Sequence, residues 1–161
     1  METKDYFYAT GIIATAAIGI WNAVNQHKIN KKTAFINTVT SERVKWLDKL
    51  RGNISGFCGL THTWTRSEIQ GTPEKIQILK EIDKLRYLIR LQLNPKSDDG
   101  KQNFDKQIED LVAEIPNLTD VRDRDDLEAA IDKLIVASQS LLKEEWEKVK
   151  SEAKSGELSD A

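Results

Sequence analysis

Cysteine, histidine and proline are scarce in this 161-residue chain, and each scarcity narrows what it can be. One cysteine, Cys58, excludes an internal disulfide and any Cys-Cys metal pair, and fits a reducing compartment. With only His27 and His62 beside it, a structural zinc site is not expected. Three prolines, eight glycines and little strand-like alternation point to helices. A glycine-rich phosphate loop, an HExxH pair and a nucleophile elbow are all missing, so neither an enzyme nor a cofactor is expected. Cys58 and His62 would align on a helix, but the apolar setting "GFCGL" favours a buried, inert thiol. The acid groups in "DRDD" and "KEEWEK" have the spacing of solvated helix faces and helix-dipole partners.

Charge is present but segregated. Residues 27–51 carry seven Lys/Arg against two Asp/Glu, and residues 52–97 carry seven against four. From residue 98 onward nine basic residues face eighteen acidic ones. A chain that is basic in one half and acidic in the other suggests an anionic surface or ligand on its basic side. A long nucleic acid is not the expected partner, because the acidic half would oppose it.

Residues 6–24 form a nineteen-residue apolar run with Asn22 as its one strongly polar side chain. As a helix at about 1.5 Å per residue, this run matches a bilayer hydrocarbon core of about 30 Å. Tyr6, Phe7 and Tyr8 bracket it at one end and Trp21 at the other, as at membrane interfaces. The flank "METKD" carries one lysine, while His27, Lys28, Lys31 and Lys32 follow the run. The positive-inside rule then puts the N-terminus outside and the remainder in the cytoplasm, a single-pass topology in a bacterial inner membrane. A cleaved signal peptide would carry its positive charge before the run and a cleavage site after it. Gly11, Thr15, Gly19 and Ala23 recur every fourth residue, a small-residue face suited to self-association in lipid.

The expected fold is all-α: an anchor over residues 1–27, then a cytosolic antiparallel bundle of about four helices over residues 28–154, then a disordered tail. Ile36, Val39, Val44, Leu47, Leu50, Ile54 and Phe57 give the first bundle helix its stripe, and no proline separates it from the span. Gly52, Gly56 and Gly59 suggest an end, a bend or close packing. "THTWTRSEIQG" lacks periodicity and reads as a loop. Thr72 and Pro73 start a second helix on Ile76, Leu79, Ile82, Leu85, Ile89 and Leu93, stopped by Pro95. A third helix is expected from Asp98 to about Ile115, ended by Pro116, and a fourth over about residues 122–153.

Two basic faces and the loop are candidate ligand sites. Arg43, Trp46 and Arg51 lie in "ERVKWLDKLR", where cations with an interleaved aromatic suit an anionic headgroup or a nucleotide. Arg86 and Arg90 share a face of the second helix. His62, Trp64 and Arg66, among threonine hydroxyls, could stack on a base and grip a phosphate. Solvated helix faces and a polar connector are the plain alternatives.

The pieces "INTVTSERVKWLDKLR" (residues 36–51), "LIRLQLNP" (88–95) and "LLKEEWEKVKSE" (141–152) resemble motifs of small bacterial proteins with one N-terminal span and a cytosolic helical domain. Some proteins of this build resemble membrane effectors of antiphage defence, including type III CRISPR effectors that sense cyclic oligoadenylate. The resemblance implies an oligomer whose cytosolic domain binds an anionic nucleotide signal and whose span acts on the membrane. The other expectation is a membrane-tethered scaffold whose acidic bundle recruits a protein partner.

Overall fold

The computed structural model describes residues 3–66, 73–95, 103–118 and 124–158, with the backbone alone for residues 3–10, 65 and 66. Among the described residues the chain is all-helical: α1 (Thr3–Arg66), α2 (Pro73–Gln92), α3 (Phe104–Glu114), a short 3₁₀ turn (Ile115–Leu118) and α4 (Arg124–Ser155).

Helix α1 is one element of 64 residues, about 96 Å long at 1.5 Å per residue. No proline falls inside it, and its glycines do not break it. The loop expected from Thr61 is helical through Arg66, with residues 67–72 outside the described part. Tertiary contact overrides the missing periodicity there. Thr61 is buried with its hydroxyl donating to the Phe57 carbonyl at 2.8 Å, and Trp64 packs against the core.

Gly56 shows why one glycine sits mid-helix: a Cβ there would meet Leu85 Cδ1 at 3.2 Å. Gly52 and Gly59 have nothing within 4 Å. Gly52→Ala and Gly59→Ala are each expected to stabilise the fold by about 0.5–1 kcal/mol, while Gly56→Val lowers it by about 1–3 kcal/mol through overpacking. Thermal melts of the full chain check both directions.

The helices alternate in direction. Trp64 meets Lys75, Gly56 meets Leu85 and Trp46 meets Gln92, so α2 runs antiparallel to α1. Asn94 and Asp105, then Arg90 and Glu109, set α3 antiparallel to α2. Lys32 meets Glu157 and Thr40 meets Glu152, which sets α4 antiparallel to α1. The core between them includes Leu50, Phe57, Ile89, Ile108, Val112, Leu127 and Leu134. Asn103 caps α3, its side chain accepting from the Lys106 N–H at 2.9 Å, so this helix starts at Phe104, later than the expected Asp98. Pro116 lies within the 3₁₀ turn. Gly156, at φ 66°, closes α4, its N–H donating to the Glu152 carbonyl at 2.9 Å.

Short α2 and α3 leave α1 and α4 to continue as a two-helix stem, with Ile36 and Val149 buried in it. Beyond the stem α1 projects alone, and residues 11–35 are all exposed. Among the described residues no helix is long and apolar enough to cross a membrane. The apolar run begins earlier, and its first aromatic bracket, Tyr6, Phe7 and Tyr8, lies outside the described side chains.

Candidate functional site

The stem is where α1 leaves the bundle, and a buried charge cluster lies there. Glu145 and Glu152 sit seven residues apart on α4, in register with its buried stripe of Leu134, Leu141 and Val149. Both carboxylates therefore face α1. Arg43 answers them: its Nε is 3.7 Å from Glu145 Oε2, and its Nη1 donates to Glu152 Oε1. Thr40 Oγ1 donates to the other Glu152 oxygen at 3.1 Å. The Glu152 side chain is fully buried and that of Arg43 only 19% exposed, so the pair is held away from water. Lys148 extends the cluster, donating to Glu145 at 2.6 Å, and that bond chiefly holds its ammonium above the ordinary lysine range. Asp105 of α3 lies beside Glu145 and Lys148, and burial pushes its carboxyl up.

The other expected ligand residues are dispersed. Trp46 donates its indole N–H to the Gln92 carbonyl at 3.0 Å, satisfying the end of α2. Arg51 pairs with Asp48 at 3.0 Å. It also lines a cavity of about 270 Å³ between α1 and α4, with Ile54, Cys58, Ile135 and Leu142. Arg86 has Asp83 at 3.7 Å and the Tyr87 hydroxyl at 3.1 Å. Arg90 reaches Glu109 of α3 at 3.4 Å. Trp64 lies under the Lys75 ammonium, 4.6 Å from the ring centroid, and His62 is half-buried beside it in sequence. The Arg66 side chain lies outside the described residues.

Arg43 and His62 are nineteen residues apart on one helix, about 28 Å along it. Arg43 and Arg51 face α4, whereas Arg90 faces α3. The candidate residues thus occupy separate regions. No protein family, curated protein or solved structure matches the chain.

Cys58 is half-buried, and burial pushes its thiol up to about 11, which leaves it protonated at neutral pH. Among the described residues no group of three His, Cys, Asp or Glu side chains could hold a metal ion. What the cluster at Arg43 does physically is lock α1 to α4. The solvated face expected of "KEEWEK" does not hold at Glu145, and neither Glu145 nor Glu152 is expected from sequence as a partner of Arg43. The available signal was their register: each carboxylate falls on the apolar stripe of α4, where a charge must be paired.

Proposed function

We propose that this chain is a membrane-tethered helical platform, with the apolar start of α1 inserted in the bacterial inner membrane as a single span, N-terminus outside. The observation that carries this reading is the bareness of the projecting helix. Ile12, Ile13, Ile18, Ile20 and Trp21 are each more than 60% exposed, and none of the described residues covers them. A helix that is apolar on every side needs lipid or another chain around it. Gly11, Thr15, Gly19 and Ala23 line one side of it, and the Thr15 hydroxyl donates to the Gly11 carbonyl at 2.8 Å, so this donor needs no water. Gly11 and Gly19 have open space around them, which would let a second copy approach closely and form a homo-oligomer.

The platform's partner-facing end would be the start of α4. Since the end of α4 meets Lys32, its acidic start, Asp125, Asp126, Glu128 and Asp132, lies at the far end of the bundle from the projecting helix. The nucleotide-gated antiphage effector needs an anion site in addition to this anchor. Arg43 is engaged by Glu145 and Glu152, Arg86 by Asp83 and Arg90 by Glu109. Stoichiometric thermal stabilisation of the full chain by a cyclic oligoadenylate would favour the effector.

The anchor is tested by alkaline carbonate extraction of membranes from cells expressing the full chain. The wild type is expected to stay with the lipid. Ile13→Arg/Ile18→Arg, at about 2.5–3.5 kcal/mol per central arginine, is expected to shift it to the soluble fraction. Complete extraction of the wild type would overturn the reading.

A further inference from the structure

The stretch that joins the apolar run to the stem has a one-sided charge. Between Asp5 and Glu42 the sequence contains no acidic residue, while Lys28, Lys31 and Lys32 all fall within it. Residues 11–35 are helical and exposed, so the helical spacing fixes which side each residue occupies. Trp21, Val24, Lys28 and Lys31 follow one another at steps of three or four, Lys32 falls four after Lys28, and all five share a side. The opposite side carries Gln26, Asn30, Thr33 and Asn37, which are uncharged. Gln26 Nε2 donates to Asn30 Oδ1 at 3.3 Å along that side.

Lys32 is committed to the fold, pairing with Glu157 at 3.1 Å. Among the described residues Lys28 and Lys31 have no such partner, and the acid-free stretch offers them none within helical reach. They follow Val24 by four and seven residues, about 6 and 10 Å along the axis. A lysine stem can cover that reach while its ammonium stays in the polar layer. Trp21, 73% exposed, stands at the boundary itself.

We propose that Lys28 and Lys31, with Trp21 as their apolar footing, form a docking face for anionic phospholipid headgroups. The proposal rests on the span assigned above and adds a lipid class to it. Charge complementarity names the occupant: two unpaired ammonium groups on one side of a helix, at headgroup depth, meet phosphate or carboxylate of the cytoplasmic leaflet. Their contribution corresponds to about a fivefold preference per lysine. The uncharged side offers the surrounding headgroups no ammonium, and the pairing of Lys32 with Glu157 puts the end of α4 next to this face.

The test uses the full chain in nanodiscs of pure phosphatidylcholine and of phosphatidylcholine with one quarter phosphatidylglycerol. A water-soluble amine-acylating reagent labels the lysines, and mass spectrometry reads each site. Lys28 and Lys31 are expected to react about fivefold more slowly in the anionic discs than in the neutral ones. High salt should remove the difference. Lys80, exposed on α2, should react equally in both and serves as the control. Equal rates at Lys28 and Lys31 in the two lipids would overturn the headgroup face while leaving the anchor in place. Failure of the chain to enter either disc would instead overturn the anchor, and the headgroup face with it.

Discussion

Arg43→Met is expected to destabilise the full chain by about 3–5 kcal/mol. The substitution preserves most of the side-chain volume but removes the guanidinium that faces Glu145 and Glu152. Glu152 has no exposed side-chain surface, and the Thr40 hydroxyl also donates to it at 3.1 Å. A carboxylate left in that position keeps its desolvation cost and loses the guanidinium that helps offset it. The loss should be local at first. Amide exchange is expected to quicken over residues 36–43 and 145–152, while Ile108 and Val112 in the main core stay protected. Adding Glu152→Leu to Arg43→Met should recover most of the stability, because a buried ion pair replaced by apolar groups of similar volume is often neutral or better. Guanidinium melts of the two single variants and the double variant close the cycle. If Arg43→Met alone left the melt unchanged, the stem would not be held by this pair.

The second large effect is at Phe57. Phe57→Ala is expected to cost about 3–5 kcal/mol, a large part of the roughly 5–15 kcal/mol that holds a domain of this kind. The ring has no exposed surface and belongs to the cluster that includes Leu50, Ile54, Ile82, Leu85 and Leu134. Leu85, which lies beside Gly56, already stands 3.2 Å from where a Cβ on that glycine would be, so the helices here are close and collapse into the void is limited. Phe35→Ala is the contrast, since that ring is 61% exposed on α1 at the edge of the stem and its loss should leave the melt within about 0.5 kcal/mol. Equal effects at the two positions would place the core elsewhere.

Much of the bundle was legible because its stripes are long and regular. The apolar positions of α2 and α4 fall at three- and four-residue steps, and Pro73 marks the start of α2. The core members Ile82, Leu85 and Ile89 lie on the stripe expected of the second helix, and Leu127, Leu134 and Leu141 lie within the span expected of the fourth. The end of α1 was not legible. Thr61 and Trp64 carry no periodic apolar pattern, yet the burial of Thr61 and the packing of Trp64 against the core keep the helix going. The candidate site was read from cations alone, which is why it dispersed: the sequence lists the arginines but not the acids that meet them. Arg43 looked available and is spent on two carboxylates more than one hundred residues away.

The helical class, the segregation of basic from acidic halves, and an apolar run at the start of α1 with lysines after it can all be read along the chain. These follow from local properties, namely periodicity, turn chemistry and composition, which need no partner to be read. Tertiary structure alone reveals that α1 is one helix through residue 66, that Glu145 and Glu152 claim Arg43, and that residues 11–35 are exposed. The reason is that pairing and exposure depend on which distant residues arrive at the same place. A charge on a stripe or a bare apolar helix acquires its meaning from neighbours that lie far along the chain.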